Sequence, residues 1–369
     1  MTLTDIIIQR IKDEGPISFR DFMEMALYYP ELGYYSSSDD KIGKTGDFYT
    51  SSSLTPVFGA MIAKQLEEMW QILGKQQFTI VEYGAGTGLL CQDILQYLKQ
   101  KEELYDQVSY VIIEKSLAMR KKQKMQLPGK VRWYDSIEDV GPINGCVLSN
   151  ELLDNFSVHQ VVMEDELMEV FVDYKNDFVE VLRPAEMELT NYLAELEVSL
   201  PKGFRTEINL EAKKWLRQIA GALQSGYILT IDYGYTSTEL YRTSRSCGTI
   251  LCYRDHQIND DPYHEIGKQD ITSHVNFSAL CHWGEKNGLT CSGLTNQAQF
   301  LLALGYRDYV LSTAEPGKNM LQVAKKVALL NHTLLVDMGN KFKVLIQEKG
   351  ISNQKESQLQ GLSNAISIK

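Results

Sequence analysis

Glu82 stands two residues ahead of three glycines at alternate positions, Gly84, Gly86 and Gly88, in the run "IVEYGAGTGLL" at 80–90. An apolar run leads into this loop and a helical pattern, "LLCQDILQYLKQ", leaves it. A glycine loop between a strand and a helix lets backbone approach a nucleotide, because no side chain keeps the ligand away. The dinucleotide fingerprint G-x-G-x-x-G needs a third glycine so that the helix packs close under a pyrophosphate. Counted from Gly84, that place is held by Leu89, and the fingerprint fails.

An acid ahead of a G-x-G-x-G loop resembles the first motif of class I S-adenosyl-L-methionine methyltransferases. Their cofactor has no phosphate to hold, and its methionine end is cationic, so a carboxylate such as Glu82 is favourable beside it. Glu114 closes the next apolar run, "YVIIE". Nucleotide folds place a ribose-gripping acid there, and one carboxylate can accept from both ribose hydroxyls. NAD enzymes use the same device, so Glu114 alone does not choose between ligands. Asp135, after the third apolar run, is expected at the adenine edge.

The run "SNELLDNF" puts Asn150, Glu151 and Asp154 where a bound methyl group should point. The same residues read as helix punctuation, with Asn150 as N-cap and the acids favouring the helix dipole, and the two roles are compatible. Methyl transfer from a sulfonium is an in-line displacement, in which most of the protein's help is alignment. A guanidinium acceptor asks for more, because a pKa of about 12.5–13.8 keeps its nitrogens protonated. Carboxylates must then hold the cation and take up a proton. Glu151 and Asp154, three residues apart, are expected to share a helix face and act as that clamp.

These residues need a scaffold. From residue 78 strands alternate with helices: "FTIVEY", "VSYVIIE", "KVRWYDS", "GCVLSN" and "GYILTIDYG" are the strands, and "KFKVLIQEKG" is a last one. The expected fold is α/β, a class I methyltransferase-like, doubly wound, mostly parallel sheet with its ligand beyond the carboxyl ends of the strands. Residues 76–155 and 226–349 make up this core. Residues 1–75 form an N-terminal helical region, with Ile6, Ile7 and Ile11 at helical spacing, a second helix capped by Ser18 and a third over 57–73. The unpatterned loop between the last two helices is too long to be idle in a compact protein. Residues 156–225 read as an inserted cap, an antiparallel β-meander ("VHQVVM", "LMEVFV", "FVEVL") followed by two helices. Asp270 and Thr272 lead into a further helix, more helices fill 296–304 and 317–333, and the polar tail 350–369 is expected to fray.

Composition narrows the partners. The 369 residues carry 48 acids against 37 bases, a formal net charge of −11, so no overall positive field attracts nucleic acid. The dense basic run at 120–124 reads as a solvated helix face. No stretch approaches the ~18 apolar residues of a membrane span, and nothing resembles a targeting segment. The six scattered cysteines read as reduced thiols, which points to a cytoplasmic setting. His274, Cys281, His282 and Cys291 match no zinc spacing, so no metal is assigned.

Several longer runs together resemble one family along nearly the whole chain: "GPISFRDFMEMALYYPELGYY", "GDFYTSSSLTPVFG", "VEYGAGTGLLCQDIL", "NELLDNFSVHQ", "LTIDYGY", "GTILCYRDH" and "DITSHVNFSAL". The chain is similar to the MidA family of S-adenosyl-L-methionine-dependent methyltransferases. That family includes the mitochondrial complex I assembly factor that methylates an arginine of a complex I subunit. The resemblance implies that "GDFYTSS" folds back over the cofactor, which makes Gly46, Asp47 and Thr50 cofactor-site residues. It also implies a protein substrate, with arginine favoured. The family's loop more often reads G-P-G-x-G, where this chain has Gly84-Ala85-Gly86, and its N-E-F-x-D-A run is Asn150 to Asn155 here. Its H-V-D-F run is His274-Val275-Asn276-Phe277, one carboxylate fewer on the side where substrate contacts are expected. Without a transit peptide the chain resembles a bacterial-type member.

Three readings stay open at this level: a protein methyltransferase, a small-molecule N- or O-methyltransferase with 156–225 as its lid, and a cofactor-binding assembly protein without turnover. A homodimer is also left open. An NAD-dependent reductase is disfavoured by Leu89.

Overall fold

The computed structural model describes residues 1–37, 54–312, 320–351 and 358–366. Seven strands build the central sheet: β1 (Phe78–Tyr83), β2 (Val108–Ile113), β3 (Val131–Tyr134), β4 (Ile143–Asn150), β5 (Leu223–Tyr235), β6 (Thr290–Asn296) and β7 (Phe342–Lys349). Their spatial order is β3-β2-β1-β4-β5-β7-β6, with the short strand Val275–Asn276 added at the end of β5. The pairs β3-β2, β2-β1, β1-β4 and β4-β5 are parallel, whereas β7 runs antiparallel to both β5 and β6. β1, β2 and β4 are buried on both faces, which is why they read as continuous apolar runs rather than alternating ones. The doubly wound expectation holds. The chain winds outward from β1 in one direction and from β4 in the other, so a crevice opens between their carboxyl ends.

The helix Pro56–Ile72 covers one face of this sheet, burying Val57, Met61, Leu66 and Met69 with Ile80, Ile94 and Leu229. On the other face the helices Leu210–Ala222 and Phe277–Lys286 bury Trp215, Leu216, Phe277 and Leu280. Thr290–Asn296 reads polar and was not expected as a strand; its pairing with β7 supplies the order that its sequence does not.

The meander is present as His159–Met163, Leu167–Tyr174 and Phe178–Pro184, and two further strands extend its sheet. Arg205–Ile208 pairs with the first of these, and Ile17–Ser18, between the two N-terminal helices, pairs with the second. The N-terminal helices Leu3–Glu14 and Phe19–Tyr28 bury Ile7, Ile11, Phe22 and Leu27 in one cluster with Val158, Val162, Val170, Val172, Cys252 and Ile271. Ser18 caps the second helix as expected, accepting from the Asp21 N–H at 3.1 Å. A small sheet of Leu251–Arg254, Gln257–Asn259 and Asp270–Thr272 joins the same body.

Two expectations fail. The tail does not fray at 358–366: Leu359 and Leu362 are buried in the main core, Gln360 N–H donates to Glu68, and Ile366 N–H donates to Leu294. Two leucines at a spacing of three, in an otherwise polar stretch, suffice to hold it down. Cys281 and Cys291, read as thiols, are paired as a disulfide with Cα atoms 5.7 Å apart, because the helix carrying one packs on β6, which carries the other. Cys91, Cys146, Cys247 and Cys252 are free. Among the described residues, no helix is long and apolar enough to cross a membrane.

Candidate active site

The crevice between β1 and β4 opens into a cleft of about 1330 Å³, lined by the glycine loop, the ends of β2, β4 and β5, the second N-terminal helix with the turn after it, and the Leu251–Arg254 strand. Its floor begins where β1 ends. Gly84 N–H donates to Ile113 O, and Gly84, Gly86 and Gly88 all adopt positive φ (62°, 53° and 84°), a region that glycine enters without steric penalty. Gly84 and Gly86 line the cleft. Gly88 instead caps the helix Leu89–Leu98, and a β-carbon on it would meet Leu127 at 3.2 Å, so its contribution is backbone conformation and packing.

Glu82 is 3% exposed and lines the cleft. The Tyr110 hydroxyl donates to Glu82 Oε2 at 2.7 Å. Burial pushes the carboxyl up to about 7, with Tyr110 opposing the shift and Glu114 adding to it. A buried acid without a cationic partner among the described residues suits the cationic end of a ligand.

Glu114 sits at the end of β2, buried and lining the cleft. Its Oε1 accepts from Ser116 N–H at 2.9 Å and its Oε2 from Gln123 Nε2 at 3.2 Å. Burial raises its pKa, and those hydrogen bonds oppose the rise. Gln123 was absent from the sequence reading. It is fully buried on the helix Leu117–Gln126, and its Nε2 also donates to Gly86 O at 2.8 Å. Nothing in the local pattern marks it, since it lies inside the basic run that reads as a solvated face.

Asp135 is not at the site. Its side chain is 86% exposed and pairs with Arg120, outside the cleft. β3 is only four residues long, and the chain turns to solvent immediately after it.

Asn150, Glu151 and Asp154 do line the cleft, but no α-helix follows β4, only a single 3-10 turn (Leu153–Asn155) that leaves Glu151 outside it, so the shared helix face is corrected. Glu151 N–H continues the β4-β5 ladder by donating to Ile231 O, and Glu151 then turns with φ 53°. Asp232, on β5, accepts from the Leu152 and Leu153 N–H groups at 3.1 and 2.8 Å and draws the chain into the short turn Leu153–Asn155. A left-handed glutamate next to a pinned turn aims its side chain by backbone strain, a feature that concentrates at functional sites. Asn150 Nδ2 donates to Glu151 Oε1 at 3.1 Å.

Beyond this turn the cleft becomes acidic and aromatic. Asp154 is 4% exposed, and its Oδ1 has no hydrogen-bond partner among the described residues. Burial raises it to about 7, partly offset by the neighbouring Tyr233 phenol. Asp270, also buried, accepts from Tyr35 Oη at 2.9 Å and from Asn155 Nδ2 at 3.1 Å, and burial together with Asp154 raises it to about 8. Tyr28, Tyr35, Tyr233, Tyr235 and Tyr253 stand around these acids. His274, between Tyr233 and Tyr235, is depressed to about 4 by burial and by Arg245, so it stays neutral. The lysines of the lining, Lys115 and Lys341, are both exposed.

Asn276 is not part of this wall. It caps the helix Phe277–Lys286 through Ala279 N–H and donates to Ser237 Oγ and Tyr241 Oη. The departure at that position therefore changes a helix cap rather than the cleft. Gly46, Asp47 and Thr50 lie outside the described residues.

The residues present fit S-adenosyl-L-methionine. A side-chain-free loop meets a buried, cation-seeking acid, and a second buried acid stands at the strand end. Ser149 Oγ and Asn150 Oδ1 are buried at the end of β4 without hydrogen-bond partners among the described residues.

Comparison with known proteins agrees. Residues 61–295 match the family model described as "Putative S-adenosyl-L-methionine-dependent methyltransferase". A Burkholderia thailandensis protein crystallised with S-adenosyl-homocysteine is 30% identical, covers 98% of this chain and 95% of its own, and superposes with a TM-score of 0.87. The mitochondrial protein arginine methyltransferase NDUFAF7 homologue of Drosophila melanogaster is 26% identical over 93% of this chain and 84% of its own length. Its Caenorhabditis elegans counterpart is 27% identical over 92% and 85%.

Proposed function

This chain belongs to the S-adenosyl-L-methionine-dependent methyltransferases, and from that premise we propose that its acceptor is a protein arginine. The observation that carries the reading is the acidic, aromatic end of the cleft, where Glu151, Asp154 and Asp270 gather with tyrosines and, among the described residues, without a buried lysine or arginine. Buried carboxylates are costly unless a cation joins them. A guanidinium fits, since it binds carboxylates in a planar fork and stacks on aromatic faces. The names of the curated relatives, protein arginine methyltransferases, support the same acceptor.

Glu82, Glu114 and the backbone of Gly84 and Gly86 hold the cofactor, which supplies an electrophilic methyl group on a cationic sulfur. Glu151 and Asp154 hold the acceptor cation and orient one nitrogen. Asp154, with an unpartnered oxygen, takes the proton that this nitrogen must lose. The neutral His274 leaves the local charge to the acids.

The test is transfer from methyl-labelled S-adenosyl-L-methionine into an extract of cells lacking the protein, with Gly86→Val as control. Label in a protein band, recovered as methylarginine on hydrolysis and absent with Gly86→Val, supports the reading. Label only in small molecules moves the acceptor to that class, and no label with S-adenosyl-homocysteine still bound favours a binding role without turnover.

A further inference from the structure

The geometry points to Gln123 as the positioning residue of the cofactor's ribose grip, through which the glycine loop and Glu114 act as one unit. It rests on the ribose role of Glu114 and goes beyond it by assigning what sets that carboxylate.

Gln123 is fully buried, and its carboxamide makes three hydrogen bonds, two donated through Nε2 and one accepted at Oε1. Trp133 Nε1–H donates to Gln123 Oε1 at 2.8 Å. An indole nitrogen donates only, so it fixes which end of the amide faces β3. The Nε2 end must then face the cleft floor, where it donates to Gly86 O at 2.8 Å and Glu114 Oε2 at 3.2 Å. One side chain therefore spans three elements: the loop after β1, the acid after β2 and the strand β3. Because Ser116 N–H holds Glu114 Oε1, each carboxylate oxygen has a fixed protein donor. A carboxylate has about four lone-pair sites, so both oxygens keep capacity for a hydroxyl each. Arg120, one turn before, donates to the backbone oxygens of Glu114 and Tyr134 and keeps the helix in register with both strands.

The role separates from simple core packing by ligand preference. Gln123→Met keeps the volume and removes both donors, whereas Trp133→Phe keeps Gln123 and frees its amide to turn. Binding of S-adenosyl-homocysteine and of its 2′-deoxyribose analogue is measured by calorimetry for each protein. Wild type is expected to prefer the ribose ligand by about tenfold or more, as a hydrogen bond to a charged group implies. In Gln123→Met the preference falls to within about threefold, and in Trp133→Phe it falls part of the way. Equal weakening of both ligands with the preference intact, in either variant, overturns the inference. Glu114→Gln tests the premise separately: if that protein keeps the full preference, the ribose grip lies elsewhere and the assignment of Gln123 falls with it.

Discussion

The Tyr35 hydroxyl donates a 2.9 Å hydrogen bond to Asp270 Oδ2 across 235 positions of sequence. It ties the turn after the second N-terminal helix to a strand of the small sheet, and Asn155 Nδ2, from the turn after β4, reaches the same carboxylate. Three distant segments thus close the acidic, aromatic end of the cleft on one acid.

That acid makes stability depend on pH. Burial holds Asp93 at about 6, Glu82 and Asp154 at about 7 and Asp270 at about 8, all above their unfolded values near 4. The folded form binds the extra protons, so stability is full below the unfolded pKa and declines as pH rises through about 6–8. The melting temperature of the ligand-free protein should be lower at pH 8.5 than at pH 5.5, and Asp270→Asn should narrow the gap. A melting temperature that rises with pH over this range contradicts the assignment.

Glu151 joins strain to chemistry. Glu151→Gln is expected to lower methyl transfer by about 100-fold or more while leaving S-adenosyl-homocysteine affinity within about twofold. Glu151→Gly should abolish transfer yet leave the protein as stable as wild type or up to about 1 kcal/mol more so, because it relieves the left-handed backbone. Full activity in Glu151→Gln would remove it from the catalytic set.

Asp232 acts on the turn rather than on a ligand. Its carboxylate accepts from three backbone N–H groups, those of Leu152, Leu153 and Tyr233. Asp232→Asn should cost about 1–3 kcal/mol in urea unfolding, because the amide turns a donor toward donors. Transfer should fall more steeply than cofactor affinity. Unchanged unfolding would show that the turn holds without it.

Gly86→Val tests the loop. A β-branched residue at φ 53° is strained, and its side chain would enter the cleft. The thermal shift produced by S-adenosyl-homocysteine in wild type should disappear in this variant, and a retained shift would place the ligand elsewhere.

The central sheet and the placement of Glu82 and Glu114 in the cleft were legible because the strands are continuous apolar runs and the acid–loop–strand–acid series is local in sequence. The turn at Asn150 was not. Its conformation is set by Asp232, about eighty positions away, which takes the N–H groups of Leu152 and Leu153 that the sequence pattern assigns to a helix. Asp135 was misplaced for a related reason, since Arg120 captures it at the surface. Gln123 was hidden because its partners come from three separate elements. The strands Thr290–Asn296 and Arg205–Ile208 are ordered by neighbours rather than by their own alternation.

The position of β7 bears on how the molecule is made. It follows β6 in the chain but stands between β6 and β5. On the ribosome, where synthesis runs at roughly 5–20 residues per second, β5 waits with an open edge from Tyr235 until Lys349 has emerged. The helix Pro56–Ile72 waits longer still for Leu359 and Leu362. An unpaired apolar edge is a template for wrong pairing, so the nascent chain is exposed to aggregation at this edge for as long as residues 236–349 are being translated.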